Sequence, residues 1–309
     1  MHVKKKVNFA IVQMSMKIKD KKANISKAER MIDNAVKKHN ADIVGLPEIF
    51  FTEFFPISMD KDRKFFAYAE PIPGPTIERI AKKAIEHDIH ILTPIYEEVE
   101  KGICYNSVAV IGPKGNVLGV TRKVEIPNVH WPEAKVVADE KFYYGSGTEF
   151  PVVETCCGKI ATIICWNRHF PEQWRIYGLK GAEIIFIPVA TIGRMNEMFT
   201  IETQSSTYQN QLYAVVVNRV GMENKCDFFG GSHVVGPLGE IIAGPLRREE
   251  KVLCATLDLD KIAYARNSLP YYRDRKPELY GLIATPHSIL ADEKIEKLTY
   301  GEKGKKNKA

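Results

Sequence analysis

The stretch "IICWNRHFPE" (163–172) starts apolar and turns polar within a few residues. The run before it, "KIATII" (159–164), has the continuous apolar character of a strand buried on both faces. Pro171 is placed to open a helix, because its missing N–H costs nothing in a first turn. A cysteine, Cys165, therefore falls where a core strand meets the loop leading into a helix. That junction is where α/β proteins assemble their sites. The backbone N–H groups of such a loop can stabilise a thiolate or an oxyanion.

The same alternation runs along the chain. Apolar runs at 7–14, 41–48, 89–96, 105–112 and 116–123 read as strands, and so do those at 182–190, 214–221 and 251–260. Between them, 24–38 sets Ile25, Ala28, Met31, Ile32, Ala35 and Val36 on one helical face, and Gly74-Pro75 opens a second helix. Helices also follow from Pro171 to Gly181 and over 197–213, with a hairpin at 230–244 and a short helix from Asp260. The second half repeats the theme of the first without a visible sequence repeat. Strands that are apolar at nearly every position must be covered on both faces, which two packed sheets with helices outside would do. One α/β domain is expected over 7–285, flanked by a basic tail at 1–6 and an arm or lysine-rich tail at 286–309.

Composition excludes several classes. The net charge of +6 comes from the ends, since 7–299 holds 37 basic and 37 acidic residues. No basic-aromatic stripe or nucleic-acid motif accompanies it, so nucleic-acid binding is not expected. The start has too short an apolar run for a signal peptide, and no run approaches a membrane span. Six cysteines (104, 156, 157, 165, 226, 254) in 309 residues make no disulfide framework, which points to a reduced, cytoplasmic setting.

Two further strands end in chemically useful groups. Glu48 closes "ADIVGLPE" and Lys123 closes "NVLGVTRK". Each could be a solvated surface charge, but an acid, a cation and a thiol delivered by three strand ends are more informative together. A nucleophilic thiol needs a base and a partner for developing negative charge, and these two residues supply both types. His169 and His233 are possible helpers or ordinary histidines.

"GLPEIFF", "TRKVEIP" and "IICWNRHFPE" resemble, in order, the three signatures of the nitrilase (carbon–nitrogen hydrolase) superfamily. The resemblance runs on to "RDRKPELYGLI" (273–283). It implies an αββα sandwich. It also implies Cys165 as nucleophile, Glu48 as base, Lys123 as oxyanion cation and Glu140, in "DEKFYYGSG", as a second carboxylate beside the site. The Trp166 backbone N–H would join Lys123 on the oxyanion. No metal or organic cofactor is implied, and a homo-oligomer is expected by analogy.

Substrate class turns on Arg168. "CWNRHFPEQWRIYGLKGAEII" (165–185) resembles the N-carbamoyl-amino-acid amidohydrolases, the D-carbamoylases and β-ureidopropionases, in which an arginine here grips the substrate carboxylate. The alternative is a salt bridge to an acid such as Glu172. D-carbamoylases carry two histidines where this chain has Glu125 and Ala138. The resemblance implies hydrolysis of an N-carbamoyl amino acid to amino acid, carbon dioxide and ammonia through a covalent intermediate on Cys165. Carbamoylputrescine-type amidases and aliphatic or ω-amide hydrolases are the alternatives, and a non-catalytic interaction module is a distant one. An arginine at 168 is expected to repel the amine of a carbamoylputrescine.

Overall fold

Backbone pairing sorts the strands into two six-stranded sheets in the computed structural model, which describes residues 4–57, 61–131, 136–193 and 196–286. The first sheet draws on β1 (Lys6–Gln13), β2 (Ile43–Gly45), β3 (His90–Glu100), β4 (Ile103–Ile111) and β5 (Val117–Arg122). A small hairpin follows, β6 (Asn128–Trp131) and β7 (Val136–Asp139). The second sheet draws on β8 (Val152–Thr155), β9 (Gly158–Thr162), β10 (Ile184–Val189) and β11 (Tyr213–Asn218). A ribbon of β12 (Val220–Glu223) and β13 (Cys226–Phe229) interrupts it before β14 (His233–Val235) and β15 (Ile241–Ala243). Finally β16 (Lys251–Asp258) crosses back to pair antiparallel with β1.

Sheet order is β16-β1-β2-β3-β4-β5 in one and β15-β14-β11-β10-β9-β8 in the other. Read from β16 and from β8, both sheets show one antiparallel step, two parallel steps and two antiparallel steps. The helices match too. Helices α1 (Lys21–His39) and α2 (Pro75–His87) make the crossovers β1–β2 and β2–β3, as α3 (Pro171–Leu179) and α4 (Asn196–Asn210) do for β9–β10 and β10–β11. The two halves are one design used twice. The repeat is invisible in sequence because it lies in hydrogen-bond pattern rather than residue identity.

Side-chain alternation builds the layers. On β1, Ala10 and Val12 pack in the core that includes Ile25, Ala28 and Ile32 of α1, while Phe9 and Ile11 pack in the core that includes Phe186 and Ile187 of β10. Phe9 stacks on Phe186 across the two sheets with ring centroids 6.3 Å apart. Gly45 makes this closeness possible, because a Cβ there would lie 2.5 Å from Phe186 Cε2. The expected αββα arrangement is therefore present, with helices outside two apposed sheets.

Local signals explain the boundaries. Asp20 caps α1 by accepting from Ala23 N at 3.0 Å, and Asn40 ends it in the left-handed conformation. Pro75 and Pro171 occupy the first turns of α2 and α3. The basic residues expected as a free N-terminal tail are engaged from Lys4 onward. Lys4 and Lys5 pair with Asp42 and Asp260, and Lys6 opens β1.

The main compact unit ends at Ser268, the last residue of α5 (Asp260–Ser268). The expected domain end at 285 falls in a second unit beginning at Leu269, which contains short 3-10 turns at Pro277–Leu279 and Gly281–Ala284. The expected arm from 286 lies outside the described residues beyond its first position. Among the described residues, no helix is long and apolar enough to cross a membrane.

Candidate active site

The parallel strands of both sheets deliver their C-terminal ends to one rim. Glu48 follows β2 there, Lys123 directly follows β5, and Cys165 follows β9 as the first residue of a 3-10 turn, Cys165–His169. Glu140 opens another 3-10 turn after β7. All four are buried.

Lys123 is the hub. Its Nζ lies 2.6 Å from Glu140 Oε2 and 3.2 Å from Glu48 Oε1. Asn106 Nδ2, from β4, also donates to Glu48 Oε1 at 2.7 Å. One Glu48 oxygen is thus held twice, while Oε2 is buried with no hydrogen-bond partner among the described residues. Two carboxylates around one ammonium leave the buried triad short of positive charge. Burial alone would lower the Lys123 ammonium, but the Glu140 and Glu48 carboxylates outweigh it and hold the lysine above its ordinary value. Burial pushes the Glu140 carboxyl up, with Glu48 adding to the rise and Lys123 opposing it. Burial likewise pushes the Cys165 thiol up to about 12; Glu48 reinforces this, and Lys123 and Arg168 oppose it.

The backbone at this rim is strained where the chemistry would occur. Cys165 has φ +48° and Ile49, next to Glu48, has φ +46°. Such left-handed conformations in residues with side chains cost of the order of 1–3 kcal/mol and persist only when their surroundings impose them. Here the surroundings do. Arg219, at the β11–β12 junction, donates from Nη2 to the backbone oxygens of Glu48 at 2.5 Å and Ile49 at 2.9 Å. Its Nη1 bonds both oxygens of Glu223 at 2.8 Å, and Glu223 accepts from Phe54 N at 2.7 Å. On the cysteine side, Asn167 Oδ1 accepts from Val124 N at 2.9 Å and its Nδ2 donates to Glu125 O at 2.7 Å. The turn that carries the thiol is thereby tied to the segment that carries the lysine.

A cavity of about 90 Å³ opens on this group. Phe54, Ile57, Pro127 and Ile192 give it apolar walls, and Glu140, Cys165, Trp166, Arg168 and His169 give it chemical character. The Trp166 ring packs edge-on against His169 at 4.9 Å. Arg168 is buried, and its ion pair forms with Glu202 of α4, at 3.2 Å from Nε, rather than with Glu172. Its Nη1 donates to Cys165 O at 3.0 Å, and its guanidinium lies over Phe199. Glu202 also accepts from His169 Nδ1 at 2.6 Å. His233 is buried against Phe199, donates through Nδ1 to Gly231 O, and is pushed down to about 4 by burial. Glu125 bonds Gln173, and Ala138 lines the cavity.

The structure thus gathers Glu48, Lys123 and Glu140 into one hydrogen-bonded cluster that acts electrostatically on Cys165. It sets Trp166 and Arg168 in the wall of the adjoining cavity. Sequence reading missed Asn106, Asn167, Arg219 and Glu202. The signal for two of them was faint: Asn106 is a polar residue inside the apolar run "YNSVAVIG", and Arg219 follows the apolar "AVVVN". Asn167 and Glu202 gave no signal of their own.

The family description Carbon-nitrogen hydrolase matches residues 8–267. The chain is 35% identical over 284 residues to the N-carbamoylputrescine amidase of Solanum lycopersicum, covering 86% of this chain and 91% of that protein. It is 30% identical over 240 residues to the beta-ureidopropionase of Arabidopsis thaliana, covering 71% and 57%. Among solved structures, a carbon-nitrogen hydrolase from Helicobacter pylori G27 superposes with a TM-score of 0.85 at 28% identity, covering 91% of this chain and 99% of that one.

Proposed function

Because the chain belongs to the carbon–nitrogen hydrolase family, we propose that it cleaves the ureido C–N bond of a small N-carbamoyl amine, releasing ammonia, carbon dioxide and the amine. The observation that carries this reading is the Lys123 ammonium held between Glu48 and Glu140 beside the Cys165 thiol.

Burial disfavours a standing thiolate in the pocket, so a base is needed to take the proton as sulfur attacks. Glu48 fits that task, since its Oε1 is fixed by Lys123 and Asn106 while Oε2 is unpartnered. Sulfur adds to the ureido carbon and Glu48 takes the thiol proton. The oxyanion falls to the Lys123 ammonium and the Trp166 backbone N–H, each such donor being worth roughly 3–4 kcal/mol. Glu48 returns the proton to the leaving nitrogen, ammonia departs, and an S-thiocarbamate of the amine remains on Cys165. Water, activated by the carboxylates, cleaves that thioester. The freed carbamate decomposes to amine and carbon dioxide. Glu140 acts through Lys123, fixing the ammonium where negative charge develops.

The substrate end is revised from the sequence expectation. An N-carbamoyl amino acid was expected because Arg168 could grip a carboxylate, and a carbamoyl amine was disfavoured because arginine would repel it. The Glu202 partner answers both points. It neutralises the guanidinium, which weakens the grip and removes the repulsion. The similarity to N-carbamoylputrescine amidases supports the same choice.

Ammonia release should be compared across N-carbamoyl alkylamines, N-carbamoyl amino acids and dicarboxylate monoamides, with Cys165→Ala as the blank. The proposal requires the highest kcat/KM on a carbamoyl alkylamine. Faster turnover of carbamoyl amino acids would return Arg168 to the carboxylate role, and preference for monoamides would make the enzyme a plain amidase.

A further inference from the structure

At the end of the two sheets opposite the catalytic rim lies a second cluster of reactive side chains. Cys156 and Cys157 occupy the turn between β8 and β9, at the N-terminal end of β9, and His90 is the first residue of β3 in the other sheet. Successive residues of a strand point to opposite faces. The tight turn breaks that alternation and brings both thiols to one side, with their Sγ atoms 3.8 Å apart. Cys157 Sγ is also 3.8 Å from His90 Nδ1, and the three atoms all lie within 4.8 Å of one another.

We propose that Cys156, Cys157 and His90 form a binding site for a single Zn²⁺ ion, with water as the fourth ligand. Tetrahedral zinc with Zn–S bonds of about 2.3 Å and Zn–N bonds of about 2.0–2.1 Å requires S···S and S···N edges of roughly 3.8 and 3.6 Å. The S···S separation of 3.8 Å equals its edge, the Cys157 S···N separation of 3.8 Å is slightly longer than its own, and the third pair lies within 4.8 Å. A two-coordinate Cu⁺ site would need the sulfurs nearly twice a bond length apart, about 4.6 Å, and is disfavoured on that ground. As the two Zn–S bonds form, each thiol releases its proton to solvent. Two thiolates and a neutral imidazole then balance the ion's charge in a mostly buried place.

The turn is already braced for the purpose. Thr155 Oγ1 accepts from Cys157 N at 3.0 Å and donates to Gly158 O at 2.8 Å, and Lys4 N donates to Cys156 O at 2.8 Å. Cys157 and His90 are buried, while Cys156 is only partly covered and gives the ion its way in. A bound ion would staple one sheet to the other, far from the hydrolytic chemistry, and so stabilise the fold without entering the reaction.

The test is a Co²⁺ titration of the full-length, reduced Cys165→Ala protein, in which the candidate nucleophile cannot contribute. One equivalent should bind with a thiolate-to-cobalt charge-transfer band and intense tetrahedral d–d absorption. Zn²⁺ should bleach both and raise Tm. The charge-transfer intensity should fall by about half in Cys156→Ser, whose half-covered side chain leaves the core intact, and in Cys157→Ser. No charge-transfer band, weak octahedral absorption, or a band unchanged in Cys156→Ser would overturn the assignment. None of these outcomes depends on hydrolase activity.

Discussion

Arg219 donates from Nη2 to the backbone oxygen of Glu48 at 2.5 Å, so a residue at the end of one sheet sets the position of an acid at the end of the other. The same guanidinium is buried with Glu223 and grips Ile49, whose backbone is left-handed. Arg219→Lys keeps a charge for Glu223 but cannot span all these acceptors, because an ammonium has no planar fork. The variant should fold, with kcat reduced about tenfold or more and KM little changed, since misplacing the proposed base affects transition-state chemistry before it affects binding. Steady-state kinetics checks this. An unchanged kcat would show that the Glu48 loop holds itself.

Asn167 offers a test of atom-level bookkeeping. Its oxygen accepts from Val124 N and its nitrogen donates to Glu125 O. Asn167→Asp preserves shape and the first bond, but sets a carboxylate oxygen against a carbonyl oxygen. Loss of a buried bond costs about 1–3 kcal/mol, and more where charge is left unpaired. Urea unfolding should find Asn167→Asp no more stable than Asn167→Ala, despite its closer shape.

The sheet contact at Gly45 can be probed by its one missing carbon. Gly45→Ala places a Cβ 2.5 Å from Phe186 Cε2, so the ring or a strand must move. Overpacking of this kind typically costs about 1–3 kcal/mol. Adding Phe186→Leu makes room, and the double variant should be less destabilised than the sum of the singles. Additive losses in chemical denaturation would mean that the clash is relieved elsewhere.

His233 predicts an acid limb in stability. Burial lowers the imidazole from the ordinary 6.5 to about 4 in the folded protein. Between those values the unfolded chain binds a proton that the folded chain refuses, so stability is intact above pH 6.5 and falls as pH drops toward 4. The full effect is of the order of 3 kcal/mol. Comparing the unfolding free energy of the natural protein and of His233→Gln at pH 7 and at pH 4.5 isolates it. The variant should lose less on acidification.

Legibility of the sequence followed the range of the interaction. Strand ends could be read because a buried apolar run stops where Glu48, Lys123 and Cys165 begin to meet polar neighbours. The Asp20 cap of α1 went unread and that helix begins earlier than expected, at Lys21, whereas helix starts could be read where a proline sets the first turn, at Pro75 and Pro171. The partner of Arg168 could not, because Glu172 is close in sequence while Glu202 is brought near only by the packing of α4. Asn167 was silent and Arg219 faint for the same reason: each bonds backbone atoms of a distant segment, and backbone carries no residue identity. The doubled topology showed only as a repeated order of strands and helices and not as a repeat of residues, since it is written in strand pairing and direction.

The central claim is that Cys165 becomes covalently bonded to the carbonyl carbon of a carbamoyl amine. Rapid-quench mass spectrometry during turnover of an N-carbamoyl alkylamine measures this directly. The account predicts an adduct of substrate less ammonia on the peptide containing Cys165, formed and lost at rates that sustain turnover, and no adduct in Cys165→Ala. Turnover with no adduct on that peptide, or ammonia release by Cys165→Ala at a comparable rate, would contradict it.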